Sequence, residues 1–264
     1  MKETWFLNIN AMANALSRLI QAFDLLAEHP RGLSVTELAE KMRTSKSTSS
    51  RLLASLVEGG LAERDDAQRH FLDVRFWTWG VQAARRLAVL DIARPHIAAA
   101  VKQWQTPAYV AVVRGDQTIY LESTTLSQED AMFNLVSYVV PVYACAPGKA
   151  ILAFSSADAQ EEVLQGPLKR FTPNTFATRQ ELGDELERIR RQGYAVNRGE
   201  HYDNGHIAVA VPIRDQSGAP VAAVCFYAMT EEKSLEAVIP PLLQLGDVVS
   251  ASLGFTMAVR EVVG

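Results

Sequence analysis

Apolar residues recur at three- and four-residue spacing from Ala11 to Glu28, with Leu16, Leu19, Ile20, Phe23 and Leu26 on one stripe. That period predicts an amphipathic helix, stopped by His29-Pro30-Arg31-Gly32. Ser34 opens a second helix with Glu37 three residues on, the spacing of a capping box, and Val35, Leu38, Ala39 and Met42 form its buried face. After Arg43-Thr44 a third helix runs from Ser45 to Glu58 and ends at Gly59-Gly60. A hairpin follows from Leu61 to Val74, its tip at Asp65-Asp66-Ala67-Gln68. Three short helices and then a hairpin is the order of a winged helix-turn-helix.

Arg75 to Leu90 reads as one further helix, with Phe76, Trp79, Ala83 and Leu87 on a stripe and Trp77 beside it. Two tryptophans on a connecting helix predict packing against another surface, such as a second subunit. Asp91 begins a helix to about Gln105, and after Thr106-Pro107 the texture changes. Strands are expected over Ala108 to Arg114 and Thr118 to Ser123, around Gly115-Asp116-Gln117, and again through Met132 to Tyr138. Helices follow over Pro147 to Phe154, Ala157 to Leu164 and Arg179 to Gln192, the last ended by Gly193. Tyr194 to Val196, His206 to Arg214 and Pro220 to Ala228 read as strands, with a turn at Gln216-Ser217-Gly218. A closing helix from Glu231 to Ser252 is expected to bend or restart at Pro240-Pro241. The fold class is α+β, with a winged helix-turn-helix over residues 1–75 and a linker helix over 76–91. A second domain with a mainly antiparallel sheet fills 92–264.

Composition narrows the function classes. The 264 residues fit two domains, and 48 % hydrophobic against 21 % charged residues is ordinary for a packed globular chain. A net charge of −4 excludes a generally basic surface, so any nucleic-acid contact must be local. Cys145 and Cys225 have no paired spacing, which excludes a disulfide framework and fits a reducing compartment. The apolar run at Trp5-Phe6-Leu7 is too short for a signal peptide, and no stretch approaches the roughly 20 apolar residues of a membrane span. The longest candidate, Ala208 to Met229, is broken by Pro212, Arg214, Asp215 and Pro220. A cytoplasmic protein with no membrane partner is expected.

The third helix carries the most specific chemistry. With Ser49, Leu52, Leu53, Leu56 and Val57 facing inward, Lys46, Ser47, Ser50, Arg51 and Ala54 face out. Small hydroxyl residues and cations together suit a helix that enters the major groove, donates to base edges and grips phosphates. Lys41, Arg43, Lys46 and Arg51 fall in an acid-free stretch, with Thr48 inside it, and Arg64 and Arg69 lie on the wing. A Ser-rich basic linker is the bland alternative, but it would not keep an apolar period.

In the second domain, Ala146-Pro147-Gly148-Lys149 offers proline at a first helical position and free backbone N–H groups, a candidate anion site for a carboxylate. A purely structural helix start is the other reading. A phosphate-binding P-loop fits poorly, since the first glycine is missing and Ala150 stands where a magnesium-holding hydroxyl belongs. His201, Asp203 and His206 match no strong zinc spacing, and no G-x-S-x-G elbow is present. The Arg188, Arg190 and Arg191 run shares its helix with Glu181, Asp184, Glu185 and Glu187, which reads as a solvated face. No cofactor, metal or catalytic cluster is expected.

The segment LSVTELAEKMRTSKSTSSRLLASLVEGGLAERDDAQRHFLDVRF resembles the helix-turn-helix and wing of the isocitrate lyase regulator (IclR) family. PGKAILAF, ELERIRRQGYAVNRGE and IAVAVPIRDQSGAPVAAVCF resemble blocks of its effector domain, in the same order. Ser49 departs from the apolar residue usual at its place, a small packing defect. The resemblance implies a GAF-like effector domain and a dimer, often paired into a tetramer. Its partners would be double-stranded operator DNA, a small organic acid and RNA polymerase. Asn197 and Ala208 stand where the family's pocket has an Asp and a Cys, a loss that favours a larger, partly apolar ligand, and AVNRGEHYDNGHIAVAVPI looks closest to the branch of the family that controls breakdown of aromatic acids. Ala146, Pro147, Cys145, Cys225 and Tyr227 would complete the pocket, with Asn134, Leu135 and Tyr138 on a strand that roofs it. A winged-helix regulator of another family, or a ligand-binding domain with enzymatic activity, is the competing reading.

Overall fold

The computed structural model describes residues 15–124, 138–202, 205–229 and 232–256. Two compact units divide the chain between Arg86 and Leu87.

In the first unit, α1 (Ala15–Glu28), α2 (Val35–Met42) and α3 (Lys46–Glu58) enclose a core of Leu25, Leu26, Leu33, Leu38, Leu53 and Leu56. Helix α2 begins at the expected capping box. Glu37 N–H donates to the Ser34 hydroxyl, and the Glu37 carboxylate accepts from Ser34 N–H at 2.8 Å. That hydrogen bond, the Ser34 hydroxyl and nearby Arg69 bring the Glu37 carboxyl down to about 2. The chain leaves α2 through Arg43 in the left-handed region (φ 53°), which turns it into α3 within two residues. Strands β1 (Ala62–Arg64) and β2 (His70–Leu72) form the wing, with Leu33 bridged to His70 on its far side.

Helix α4 (Arg75–Ala84) buries no residue, although Phe76 meets Phe23 edge-to-face at 4.9 Å. The single helix expected over Arg75 to Leu90 is two. Leu87 has non-helical backbone (φ −99°, ψ 79°), and α5 (Ala88–Trp104) starts three residues before the expected Asp91. The cause is burial. Val89, Leu90, Ala93, Ile97 and Val101 form a stripe that belongs to the second unit, whereas nothing in α4 is buried enough to carry its register across Arg85 and Arg86.

The second unit is built on a six-stranded antiparallel sheet in the order β5-β4-β3-β8-β7-β6. These strands are β3 (Ala108–Arg114), β4 (Gln117–Thr124), β5 (Val139–Pro141), β6 (Ala195–Asn197), β7 (Ile207–Arg214) and β8 (Pro220–Met229). Side chains alternate between its faces. One face carries Tyr109, Ala111, Ala208, Ala210, Ala223 and Cys225, and receives α6 (Ala146–Phe154) and α8 (Arg179–Gln192). The other carries Val110, Val112, Val209, Val211, Val224 and Phe226, against α5 and α9 (Glu232–Ser252). A helix α7 (Ala157–Gln165) joins α6 to α8. The closing helix α9 runs unbroken through Pro240 and Pro241 instead of restarting there. The strand expected through Met132 to Tyr138 lies outside the described residues except for Tyr138, whose carbonyl accepts from Tyr120 N–H at 3.1 Å. Among the described residues no helix is long and apolar enough to cross a membrane.

Small residues on both partners bring α6 close to the sheet. A methyl group on Gly148 would stand 2.3 Å from the Val142 carbonyl oxygen and 2.4 Å from Thr118 Oγ1. The first turn of α6 is therefore packed shut against residues 142–144 and β4, and Gly148 is a packing glycine rather than part of an open anion cradle. We expect Gly148→Ala to destabilise the protein by about 1–3 kcal/mol, read as a lower midpoint in chemical denaturation. Glu37 gives a pH test. Its lowered pKa contributes stability that is present above the ordinary value of 4.5 and lost as pH falls toward about 2. The stability advantage of the native chain over Glu37→Gln should accordingly shrink between those two pH values in denaturation followed by circular dichroism.

Candidate functional site

Helix α3 presents the chemistry expected of it. Ser45 caps its start, its hydroxyl accepting from Thr48 N–H at 3.2 Å and bonding the Ser47 and Thr48 hydroxyls at 2.9 Å each. Lys46, Ser47, Ser50 and Arg51 are exposed and Thr48 is half-buried. Among the described residues, Arg43, Lys46, Arg51 and the wing's Arg64 have no acidic partner. Unpaired cations beside small hydroxyls on a protruding helix are what phosphate and base-edge contacts need.

Three expectations on this face change. Ser49 is buried but not a defect, because Thr44 Oγ1 bonds its hydroxyl at 2.8 Å. Val57, assigned to the inner face, is 36 % exposed at the last turn. Arg69, assigned to DNA, folds back onto the Arg31 and Gly32 carbonyls at 2.7 Å each and pairs with Glu37 at 3.2 Å. Its side chain ties the wing to the start of α2.

In the second unit, those residues expected to line an effector pocket that are described gather at the α6 end of the sheet. Asn197 pairs in register with Ala208, and its amide nitrogen donates to the Ala144 carbonyl at 3.4 Å. Cys145, Ala146, Ala208 and Cys225 share one buried cluster, with Tyr138 and Tyr227 packed against it, and Pro147 is buried beside them in α6. Tyr109 meets both Tyr120 and Tyr227 edge-to-face at 6.1 Å. Asn134 and Leu135 lie outside the described residues. Burial pushes the Cys145 thiol up to about 11 and the Cys225 thiol higher still, so both are neutral hydrogen-bonding groups rather than nucleophiles. His206 lies beside Tyr227 and His201 against Phe171, Asp203 is outside the described residues, and no three metal-ligating side chains cluster among those described.

A buried ion cluster went unread in the sequence. Lys149, fully buried, donates to Glu185 at 3.0 Å, Glu200 at 2.6 Å and the Val196 carbonyl at 2.8 Å. Its ammonium also lies over the Phe176 ring at 4.5 Å. Glu185 is thus not on a solvated face; its second oxygen pairs with Arg188. Burial raises the Glu200 carboxyl, and Lys149 opposes that rise. Two signals were present: Lys149 is the one charge in an apolar helix, and Glu185 falls between Leu182, Leu186 and Ile189 on the buried stripe of α8.

A winged helix with unpaired cations on one unit and an antiparallel sheet with a buried cluster of tyrosines and cysteines on another are the parts of a two-domain DNA-binding regulator. Residues 15–66 match the IclR helix-turn-helix domain and residues 81–251 the C-terminal domain of bacterial IclR transcriptional regulators. The chain belongs to the IclR family of transcriptional regulators, which bind operator DNA and small-molecule effectors and are not enzymes. An HTH-type regulator of Mycobacterium tuberculosis is 30 % identical over 228 residues, 82 % of this chain and 85 % of that protein. The Escherichia coli repressor YiaJ is 29 % identical over 94 % of this chain and 90 % of its own length. Among solved structures, IclR of Thermotoga maritima is 30 % identical with a TM-score of 0.73, covering 92 % of this chain and 100 % of that one. An IclR homologue from Microbacterium hydrocarbonoxydans, solved with 4-hydroxybenzoate, is 23 % identical with a TM-score of 0.71, over 90 % of this chain and 97 % of that one.

We expect Lys46→Ala with Arg51→Ala to lower specific operator affinity at least about thirtyfold, since each such contact contributes about 1–3 kcal/mol. Circular dichroism should be unchanged, and unaltered operator affinity in fluorescence anisotropy would refute the α3 assignment.

Proposed function

We propose that the second unit senses a small organic acid with an aromatic body, and that its occupancy alters how α3 holds the operator. The carrying observation is the chemistry around the pocket. The phenols of Tyr109, Tyr120, Tyr138 and Tyr227 and the neutral thiols of Cys145 and Cys225 belong to or pack against the buried cluster between α6 and the sheet, and the buried cation, Lys149, is already paired. Such a lining favours a ligand held by apolar area and a few hydrogen bonds over a very small acid held by charge. The 4-hydroxybenzoate complex of the Microbacterium homologue supports the same ligand class.

The regulator acts as a dimer or a pair of dimers on an inverted-repeat operator, and the effector changes operator affinity or contact with RNA polymerase. Self-association is supported by apolar surface on the first unit. Trp77 is 74 % exposed and Trp79 51 %, close to Phe76 and Phe23, and Leu16 lies two turns before Phe23 on the same helix. A linker role for residues 76–91 fits the helix break at Leu87, where two rigid helices meet at non-helical backbone.

Fluorescence anisotropy on the upstream intergenic DNA, titrated with benzoate, 4-hydroxybenzoate, phenylacetate, pyruvate and glyoxylate, tests this reading. An aromatic acid should shift operator affinity by roughly 5- to 150-fold, and Asn197→Ala and Tyr227→Ala should each weaken that response while ligand-free binding stays. A response to pyruvate or glyoxylate alone would overturn the aromatic class, and indifference to the whole panel would overturn the effector reading.

A further inference from the structure

Lys149 does more than neutralise two carboxylates. Its ammonium has three N–H donors, and each meets one acceptor: Glu185, Glu200 and the Val196 carbonyl. Two of those acceptors flank a single turn, residues 197–200, at the end of edge strand β6. The strand is three residues long and lies at the edge of the sheet beside β7, and its Val196 carbonyl accepts from this lysine at 2.8 Å.

The turn is gripped from its other sides too. Asn197 Oδ1 accepts from Glu200 N–H at 2.9 Å, closing the turn on itself. Thr172 donates to the Gly199 carbonyl at 2.7 Å, Thr175 to the Glu200 carbonyl at 2.6 Å and Asn174 to the Arg198 carbonyl at 2.8 Å. Gly199 has φ +75°, a left-handed backbone that other residues adopt with strain. Asn197 also reaches the Ala144 carbonyl just ahead of α6, facing the pocket of the effector reading.

We propose that Lys149 is a positioning residue for effector recognition. It fixes the 197–200 turn, and with it Asn197, against the start of α6, without touching the ligand. The inference rests on the effector reading above for the place of the pocket. Lys149, Glu185 and Glu200 form a lock between α6, α8 and the end of β6, so binding energy is not lost to ordering the turn when ligand arrives.

Lys149→Met alone leaves two carboxylates buried and is liable to unfold, so the test uses Lys149→Met with Glu200→Gln, which leaves Glu185 paired with Arg188. The double variant should keep its circular dichroism spectrum and its ligand-free operator affinity. Hydrogen exchange in full-length protein should rise over residues 195–202 and stay unchanged in α5 and α9. The midpoint for the aromatic acid that acts on the native chain should rise about tenfold, the weight of one well-placed hydrogen bond. Native-like exchange over 195–202, or an unshifted effector midpoint in a folded variant, would overturn the proposal. If no acid in the panel moves the native protein, the effector reading fails by itself. The exchange measurement, which needs no ligand, still decides whether Lys149 fixes the turn.

Discussion

The second unit depends on how closely α6 approaches the sheet. Ala111, Ala208, Ala210 and Ala223 leave room on one face, Gly148 removes the last obstructing methyl, and the larger Val and Phe side chains are turned to the other face. A helix standing a further methyl group away would leave Lys149 out of reach of β6. Desolvating an ammonium costs several kcal/mol, and only a full set of acceptors at good distance offsets that. Small residues and buried charge are therefore one requirement: the first makes the approach possible, and the second fixes its geometry. The position of α8 and the end of β6 follow from it, since both supply acceptors to the same nitrogen.

The pocket inherits this rigidity. Asn197 uses its oxygen to close the turn that Lys149 holds, and its nitrogen to reach Ala144. An aspartate at this place could accept from Glu200 N–H as well, but it could not donate to the Ala144 carbonyl. The asparagine thus serves the frame and the pocket together, and both nearby thiols are kept neutral by burial.

Much of this was legible where the controlling interaction is local. The Ser34–Glu37 box, the bounds of α8 at Arg179 and Gln192, and the Gly193 stop at φ +86° are set by residues within one turn of each other. The alternation that separates the two sheet faces is equally local. What escaped depends on partners far along the chain. Lys149 meets carboxylates 36 and 51 residues away, and Arg69 meets carbonyls 37 and 38 residues away. Neither separation leaves a period in the sequence. The break at Leu87 was hidden because α4 and α5 each read as helix, and only burial of the second against a sheet separates them. Along the candidate site, the residues of α3 were legible from exposure period and charge, while the lock behind the pocket was not.

The exposed face of α3 combines unpaired cations with small hydroxyls. The protein carries 26 lysines and arginines against 30 acidic residues, so its overall field does not attract a polyanion. Arg69, Arg94, Arg179 and Arg188 are each neutralised by a carboxylate on their own unit. Arg43, Lys46, Arg51 and Arg64 are not, and all four lie on α3, the turn before it or the wing. These unpaired cations stand on the surface that also carries Ser47 and Ser50.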